Sequence, residues 1–235
     1  CVAESGSRDD FTVVLGSEPT GNVVFDLSAS DSTEANLSAS TLTFTSSNWN
    51  SAQTVTVTGV NDNVSDDNVT STITVAINQG STNDAKYDAL SSQSVSVTTT
   101  DGVDAATFTI AETDNATLVS ESGGTDTFSV VLGSEPTGNV VFSLTAGDGT
   151  EVSLSALVLT FSTSNWNTAQ TVTVTGVNDN VSDDNVTSTI TLAINQSNTA
   201  DTKYDALSSQ SITVSTTDDD TAAFTVTESG GSTVV

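Results

Sequence analysis

Phe11-Thr-Val-Val-Leu-Gly-Ser-Glu-Pro-Thr-Gly-Asn-Val-Val-Phe25 returns as Phe128-Ser-Val-Val-Leu-Gly-Ser-Glu-Pro-Thr-Gly-Asn-Val-Val-Phe142. Phe11 and Phe128, Trp49 and Trp166, and Asn61 and Asn178 each stand 117 positions apart. A chain repeating at that period is a string of similar domains, each large enough for a core of its own. The offset divides the sequence into a first repeat over 1–104, a second over 105–221 and the start of a following repeat over 222–235. Ala105-Ala-Thr-Phe-Thr-Ile-Ala-Glu112 resembles Ala222-Ala-Phe-Thr-Val-Thr-Glu228, with Thr107 as an extra residue. Nothing ahead of Val2-Ala-Glu-Ser-Gly6 matches that segment, so the first repeat lacks its opening strand while the C-terminal segment supplies one. The tail is therefore a candidate to complete another molecule by strand addition; the plainer account is a cut through a longer array.

Alternation is the local rule. Thr54-Val-Thr-Val-Thr-Gly-Val60 turns Val55 and Val57 to one face and threonines to the other. The pattern recurs at 11–15, 23–27, 42–44, 73–77, 95–97 and 108–110, and again 117 positions later where the repeat allows. β-Branched threonine and valine suit a pleated surface. Glu18-Pro-Thr-Gly21, the Asn/Asp cluster at 61–68 and Gly147-Asp-Gly149 punctuate the strands. About seven short strands per repeat predict an all-β fold of tandem antiparallel β-sandwiches, immunoglobulin-like, in an elongated array.

Charge narrows the partners. Thirty acidic residues face three basic ones, Arg8, Lys86 and Lys203, for a formal net charge of -27. No basic patch exists to neutralise phosphates, which argues against nucleic acid and anionic membranes. Histidine is absent and Cys1 is the lone cysteine, so the usual general base is missing and no disulfide forms within the chain. No start methionine, charged leader or long apolar run is present, and the chain reads as a mature product or a piece of something longer. Paired carboxylates can hydrolyse glycosides, but here they sit in duplicated turns without an aromatic groove. The expectation is a non-enzyme with no small-molecule substrate.

The carboxylates gather at turns: Glu4, Asp31, Glu34, Asp62, Asp66, Asp67, Asp101 and Asp104 in the first repeat, and Glu121, Asp148, Glu151, Asp179, Asp183, Asp184, Asp218, Asp219 and Asp220 in the second. Calcium takes six to eight oxygen ligands at flexible distances, which such turns supply together with loop carbonyls. The lack of histidine and usable cysteine argues against zinc or copper, and magnesium is second choice. The alternative is a solvated acidic face, since Asp and Asn are ordinary turn residues. Trp49 and Trp166 read as covers for a core edge, and Tyr87 and Tyr204 as pins for a long loop.

Phe108 to Gly123, Leu159-Thr-Phe161, Gln170 to Val177, Asp179 to Asp184, Ile190 to Ile194 and Asp218-Asp-Asp220 follow an order that resembles the Calx-beta domain family. Asn48-Trp-Asn50 and Asn165-Trp-Asn167, each ahead of a Gln-Thr-Val-Thr-Val run, are similar to the version in large bacterial surface proteins and adhesins. The resemblance covers nearly the whole chain and implies calcium bound by carboxylates at one pole. The matching positions are Glu121, Asp148, Asp179, Asp183, Asp218, Asp219 and Asp220, and in the first repeat Glu4, Asp31, Asp62, Asp66 and Asp101. The first terminal cluster reads Asp101-Gly-Val-Asp104, with Asp104 displaced, which implies fewer ions or weaker binding there. The function expected is a structural extender of an extracellular, calcium-stabilised surface protein, adhesin or filament on a bacterial cell surface. Its partners are neighbouring repeats of the same protein, a homopolymer included. The alternatives are a module recognising a surface or glycan, or a filament subunit joined by its C-terminal tail.

Overall fold

Threonine and valine alternate through most of the strands, and the valines decide which face turns inward. In Gln53–Gly59, Val55 and Val57 are buried while the intervening threonines are not; Gln170–Gly176 repeats the pattern with Val172 and Val174. The computed structural model describes residues 1–102, 104–227 and 230. It divides into two units, Cys1–Ala105 and Ala106–Val235, each a sandwich of two sheets.

The first unit contains β1 (Val2–Ala3), β2 (Arg8–Val13), β3 (Val23–Ala29), β4 (Ala35–Leu37), β5 (Thr41–Phe44), β6 (Gln53–Gly59), β7 (Val69–Ile77) and β8 (Gln93–Thr100). One sheet runs β1-β8-β7-β3-β5 and the other β2-β6-β4. The second unit contains β9 (Phe108–Glu112), β10 (Thr117–Ser120), β11 (Thr125–Leu132), β12 (Val140–Ala146), β13 (Val152–Leu154), β14 (Val158–Phe161), β15 (Gln170–Gly176), β16 (Val186–Ile194) and β17 (Gln210–Thr217). Its sheets run β10-β17-β16-β12-β14 and β13-β15-β11-β9. The fold is all-β and antiparallel apart from β1 on β8 and β10 on β17, which are parallel. The route into β10 is set locally. Glu112 ends β9 in one sheet, Asp114 and Asn115 take positive φ (54° and 61°), and the chain re-enters the opposite sheet as β10. Asp and Asn tolerate the left-handed region better than most residues.

Single-turn helices α1 (Ala85–Asp88) and α2 (Thr202–Asp205) interrupt the long loops. Asp84 and Asp201 cap them, each accepting from the backbone N–H groups two and three residues on, Lys86 and Tyr87 or Lys203 and Tyr204. Each Asp also accepts from a threonine across the sandwich, Thr20 or Thr137. Tyr204 then donates its hydroxyl to the Ser134 carbonyl, 2.8 Å away, and Tyr87 donates to that of Ser17, 2.7 Å away. Trp49 and Trp166 are partly buried and pack against the cores.

In the second unit the inner faces of both sheets merge in one cluster, from Phe108, Phe128 and Val130 to Phe142, Phe161 and Ile190. In the first unit the core falls into two clusters, one around Val23, Phe44 and Val55 and one around Val2, Val57 and Ile73. Partly buried Phe11 and Leu37 stand between them.

Residues 222–227 of the tail carry no strand, and Phe224 and Val226 are exposed; the rest of the expected opening strand, apart from Gly230, lies outside the described residues.

Candidate metal centre

Four chain segments meet at one pole of each sandwich. In the second unit, β10 and β17 run parallel and end together, the Glu121 N–H donating to the Thr217 carbonyl at 3.0 Å. Glu121 therefore projects beside Asp218, Asp219 and Asp220, which directly follow β17. The turn between β15 and β16 brings Asp179 and Asp183, and the turn before β13 brings Glu151, whose carbonyl accepts from the Val177 N–H at 2.8 Å. Gly176 makes the approach possible, because a Cβ there would run into the Ser120 carbonyl oxygen. The Asp-rich turns are shaped by left-handed Asn180 and Asp184, with φ of 63° and 67°. Asp179 accepts from the Val181 N–H at 2.8 Å, and Asp218 from the N–H groups of Asp183, Asp184 and Asp220.

The first unit repeats the plan around Glu4 and Glu34, with different aspartates completing the clusters. Glu4 follows β1 and donates its N–H to the Thr100 carbonyl. Glu34, Asp62 and Asp101 occupy the places of Glu151, Asp179 and Asp218. Asp104, three residues past Asp101, turns back to the same pole, where its carboxylate accepts from the Asn61 amide at 2.7 Å. Asn178 makes the corresponding bond to Asp219, at 3.1 Å.

Carboxylate oxygens of Glu4, Glu34 and Asp62 lie within 4.8 Å of one another, as do those of Glu4, Asp101 and Asp104. The same spacing holds for Glu121, Glu151 and Asp183, and for Glu121, Asp179 and Asp220. Each unit thus presents two acidic triads sharing one glutamate. Glu4 and Glu121 are only 3% and 2% exposed, yet both oxygens of each are buried without a hydrogen-bond partner. One oxygen each of Glu34, Glu151 and Asp220 shares that condition. Buried polar atoms are nearly always satisfied, and leaving them unpaired is costly.

The titration behaviour follows from this crowding. Burial first, then Asp101, Glu34, Asp62 and Asp104, push Glu4 up to about 7. Burial, then Asp218, Glu151, Asp179 and Asp183, do the same to Glu121, also about 7. Glu34 rises to about 7 through burial and then Asp66, Asp62 and Asp31. Glu151 and Asp183 are raised by burial and neighbouring carboxylates. A divalent cation with a preference for hard oxygen would satisfy the orphaned oxygens and reverse the repulsion. The donor set, all oxygen in a chain without histidine, fits calcium and does not fit zinc or copper.

Some of the carboxylates named from sequence do not join the triads. Asp31 accepts from the Thr33 hydroxyl and N–H and Asp148 from those of Thr150. These bonds hold both acids below the usual carboxylate range. They flank Glu34 and Glu151 as second-rank charges. Asp66 lies close enough to Glu34 to raise it. Asp218 braces the Asp-rich turn through backbone bonds, and Asp219 holds Asn178. In sequence Glu34 and Glu151 are only two among the turn acids; the structure puts them in the triads. The spacing Asp-x-x-Glu directly before a short Val or Ala strand is the signal that marks them.

No protein-family model matches the chain, and no curated protein matches it. Among solved structures, the chain is similar to the apo form of the Calx CBD1 domain (TM-score 0.33, 16% identity, covering 48% of this chain and 98% of that one). It is similar to the calcium-binding domain CBD12 of CALX1.1 (TM-score 0.34, 15% identity, 82% and 76% covered). It is also similar to domains 4 and 5 of the S-layer protein SbsC (TM-score 0.34, 19% identity, 62% and 65% covered). Scores this low assign neither family nor function, and the strand pairing itself defines the sandwich.

Proposed function

We propose that the chain is a pair of Calx-beta-like structural repeats from an extracellular surface protein, adhesin or filament, each repeat stabilised by calcium at its acidic pole. One observation carries the metal: Glu4 and Glu121 are buried with both carboxylate oxygens unpartnered among further acids. In the first repeat Glu4, Glu34, Asp62, Asp101 and Asp104 would hold the ion or ions, and in the second Glu121, Glu151, Asp179, Asp183 and Asp220. Bound calcium supplies positive charge that neither the three basic residues nor hydrogen bonds provide. Because the cation binds only the assembled pole, it stabilises the native state by linkage.

A non-enzymatic, structural role fits the near-identity of the two repeats. Their acidic turns and core positions are the same residue for residue over long stretches, which suits a unit selected for repetition. Neighbouring repeats of the same protein are the expected partners, and a bacterial cell surface is the expected location.

Calorimetric titration of metal-stripped protein with calcium, and with magnesium as control, tests the reading. Saturable calcium binding, tighter than magnesium and lost in the double variant Glu4→Gln/Glu121→Gln, is the expected result. Absence of calcium binding to the folded protein would reduce both poles to a solvated acidic surface.

A further inference from the structure

Branched apolar residues fill the inner face of β8 and of β17 until the last inward position, where each strand carries threonine. The inward residues run Val95, Val97 and Thr99 in β8, and Ile212, Val214 and Thr216 in β17. Thr99 and Thr216 are both 0% exposed. Valine would fill the same space without a polar atom, and a buried hydroxyl costs stability unless it is bonded. The Thr216 hydroxyl has no hydrogen-bond partner, and the Thr99 hydroxyl donates to the Glu34 carbonyl at 3.2 Å. Packing alone gives no reason for a hydroxyl at these two places.

Both hydroxyls sit where the strands enter the acidic pole. Thr99 pairs with Val2, two residues before Glu4, and with Val69 across on β7. Thr216 pairs with Val119, two residues before Glu121, and with Val186 across on β16. The acids beside them are Glu34 and Glu151, each 2% exposed and each with one carboxylate oxygen unpartnered. Their main chains are already pinned, since the Glu34 carbonyl accepts from the Val60 N–H at 3.0 Å and the Glu151 carbonyl from the Val177 N–H at 2.8 Å. Thr99 lies close enough to draw the Glu34 carboxyl down, against the burial and the aspartates that raise it, and Thr216 does the same for Glu151.

We infer that Thr99 and Thr216 are positioning residues of the two poles, their hydroxyls holding the carboxylates of Glu34 and Glu151 turned toward Glu4 and Glu121. A hydroxyl beneath a carboxylate narrows its rotamers and favours its charged form, so the acid stands ready in place of being organised by the ion. Removing such a partner from behind a ligand lowers metal affinity by about 10–100-fold. In its effect on calcium the inference rests on the calcium reading proposed above; in its geometry it rests on the fold alone.

The test exchanges Thr216 for valine, which keeps the shape and removes the hydroxyl, and for serine, which keeps the hydroxyl. Both changes are made in the full chain carrying Glu4→Gln, so that the second pole alone answers. Ser188→Ala is the control: it removes another buried, unpartnered hydroxyl, one row deeper, opposite Val214. Calcium titration by calorimetry should show affinity falling about 10–100-fold in Thr216→Val, and staying near that of the reference chain in Thr216→Ser and Ser188→Ala. Thr99→Val in a chain carrying Glu121→Gln should repeat the loss at the first pole. Metal-free crystal structures supply a readout that needs no calcium: the Glu151 carboxylate should hold one position in the reference chain and in Thr216→Ser, and be displaced or spread in Thr216→Val. If no chain binds calcium, the calcium reading falls, and the position of Glu151 still decides this one. Thr216→Val binding calcium like the reference, Thr216→Ser or Ser188→Ala binding as weakly as Thr216→Val, or Glu151 unmoved in Thr216→Val would each overturn the inference.

Discussion

Phe142 is completely buried in the second unit, while its counterpart Phe25 is only partly buried in the first. The same holds for Phe128 against Phe11, Val130 against Val13 and Tyr204 against Tyr87. The residue types in each pair are identical, so composition does not cause the difference. The cause is one strand: β9 lays Phe108 and Ile110 along the edge of β11, and no described strand does so for β2. At the acidic pole the two units are almost alike, both with a buried glutamate shared by two triads. The comparison separates two features of these sandwiches, an acidic pole common to both and an edge strand described in one.

The comparison breaks most sharply at the paired phenylalanines. Phe142→Ala should destabilise the second unit by about 3–5 kcal/mol, the range for a buried aromatic. Phe25→Ala in the first unit should cost less than half as much, because its ring already meets solvent. Denaturant unfolding followed by the separate signals of Trp49 and Trp166, using single-tryptophan variants, would read the two units apart. Equal losses would mean that the open edge does not loosen the first core.

Calcium should raise the stability of both units, by about 2.7 kcal/mol per site at a hundredfold excess over Kd. Glu121→Gln should remove the gain from the second unit only, and Glu4→Gln from the first only. Loss of both gains in either single variant would mean that the poles are coupled and the comparison is wrong.

Smaller still are the tyrosine pins. Tyr204→Phe removes buried hydrogen bonds with Ser134 and should cost about 1–2 kcal/mol, whereas Tyr87→Phe, at a more exposed site, should cost about half that. Thermal unfolding of the two variants side by side would show whether burial sets the value of the same bond.

Acidity sharpens the picture of the pole. An acid raised from 4.5 to about 7 in the folded state binds its proton more tightly there than in the unfolded chain. Without metal, the stability contributed by these two acids is therefore fully present below about 4.5 and is lost as pH climbs through about 7. With calcium the trend opposes this, since the ligands must be ionised to bind. Unfolding midpoints with and without calcium should converge in acid and separate toward neutral pH. A calcium effect that is constant across that window would argue against these glutamates as ligands.

The long strands are legible in the sequence because Val/Thr alternation over four or more residues marks an inner and an outer face. The alternation at 11–15 points to a strand that the fold places slightly earlier, at Arg8–Val13. β4 and β13 are three residues long, too short for a period to register. The parallel pairing of β1 with β8 and of β10 with β17 joins strands far apart in sequence, Val2 with Thr99 and Thr117 with Val214, which local pattern does not encode. At the pole, turn composition marks the acidic loops but not which acids turn inward. Asp31 and Asp148 look equivalent to their neighbours in sequence, yet each has a threonine two residues on that satisfies it locally. Glu34 and Glu151 have longer side chains one turn further along, and reach inward to meet Glu4 and Glu121.

Hydrogen–deuterium exchange of the full chain, with and without calcium and at a concentration where it is monomeric, reads both features in one measurement. The account predicts slower exchange on adding calcium in both Asp-rich turns, 61–68 and 178–185. It also predicts faster exchange in β2 than in β11, whether or not calcium is present. Turns indifferent to calcium, or equal protection of β2 and β11, would contradict it.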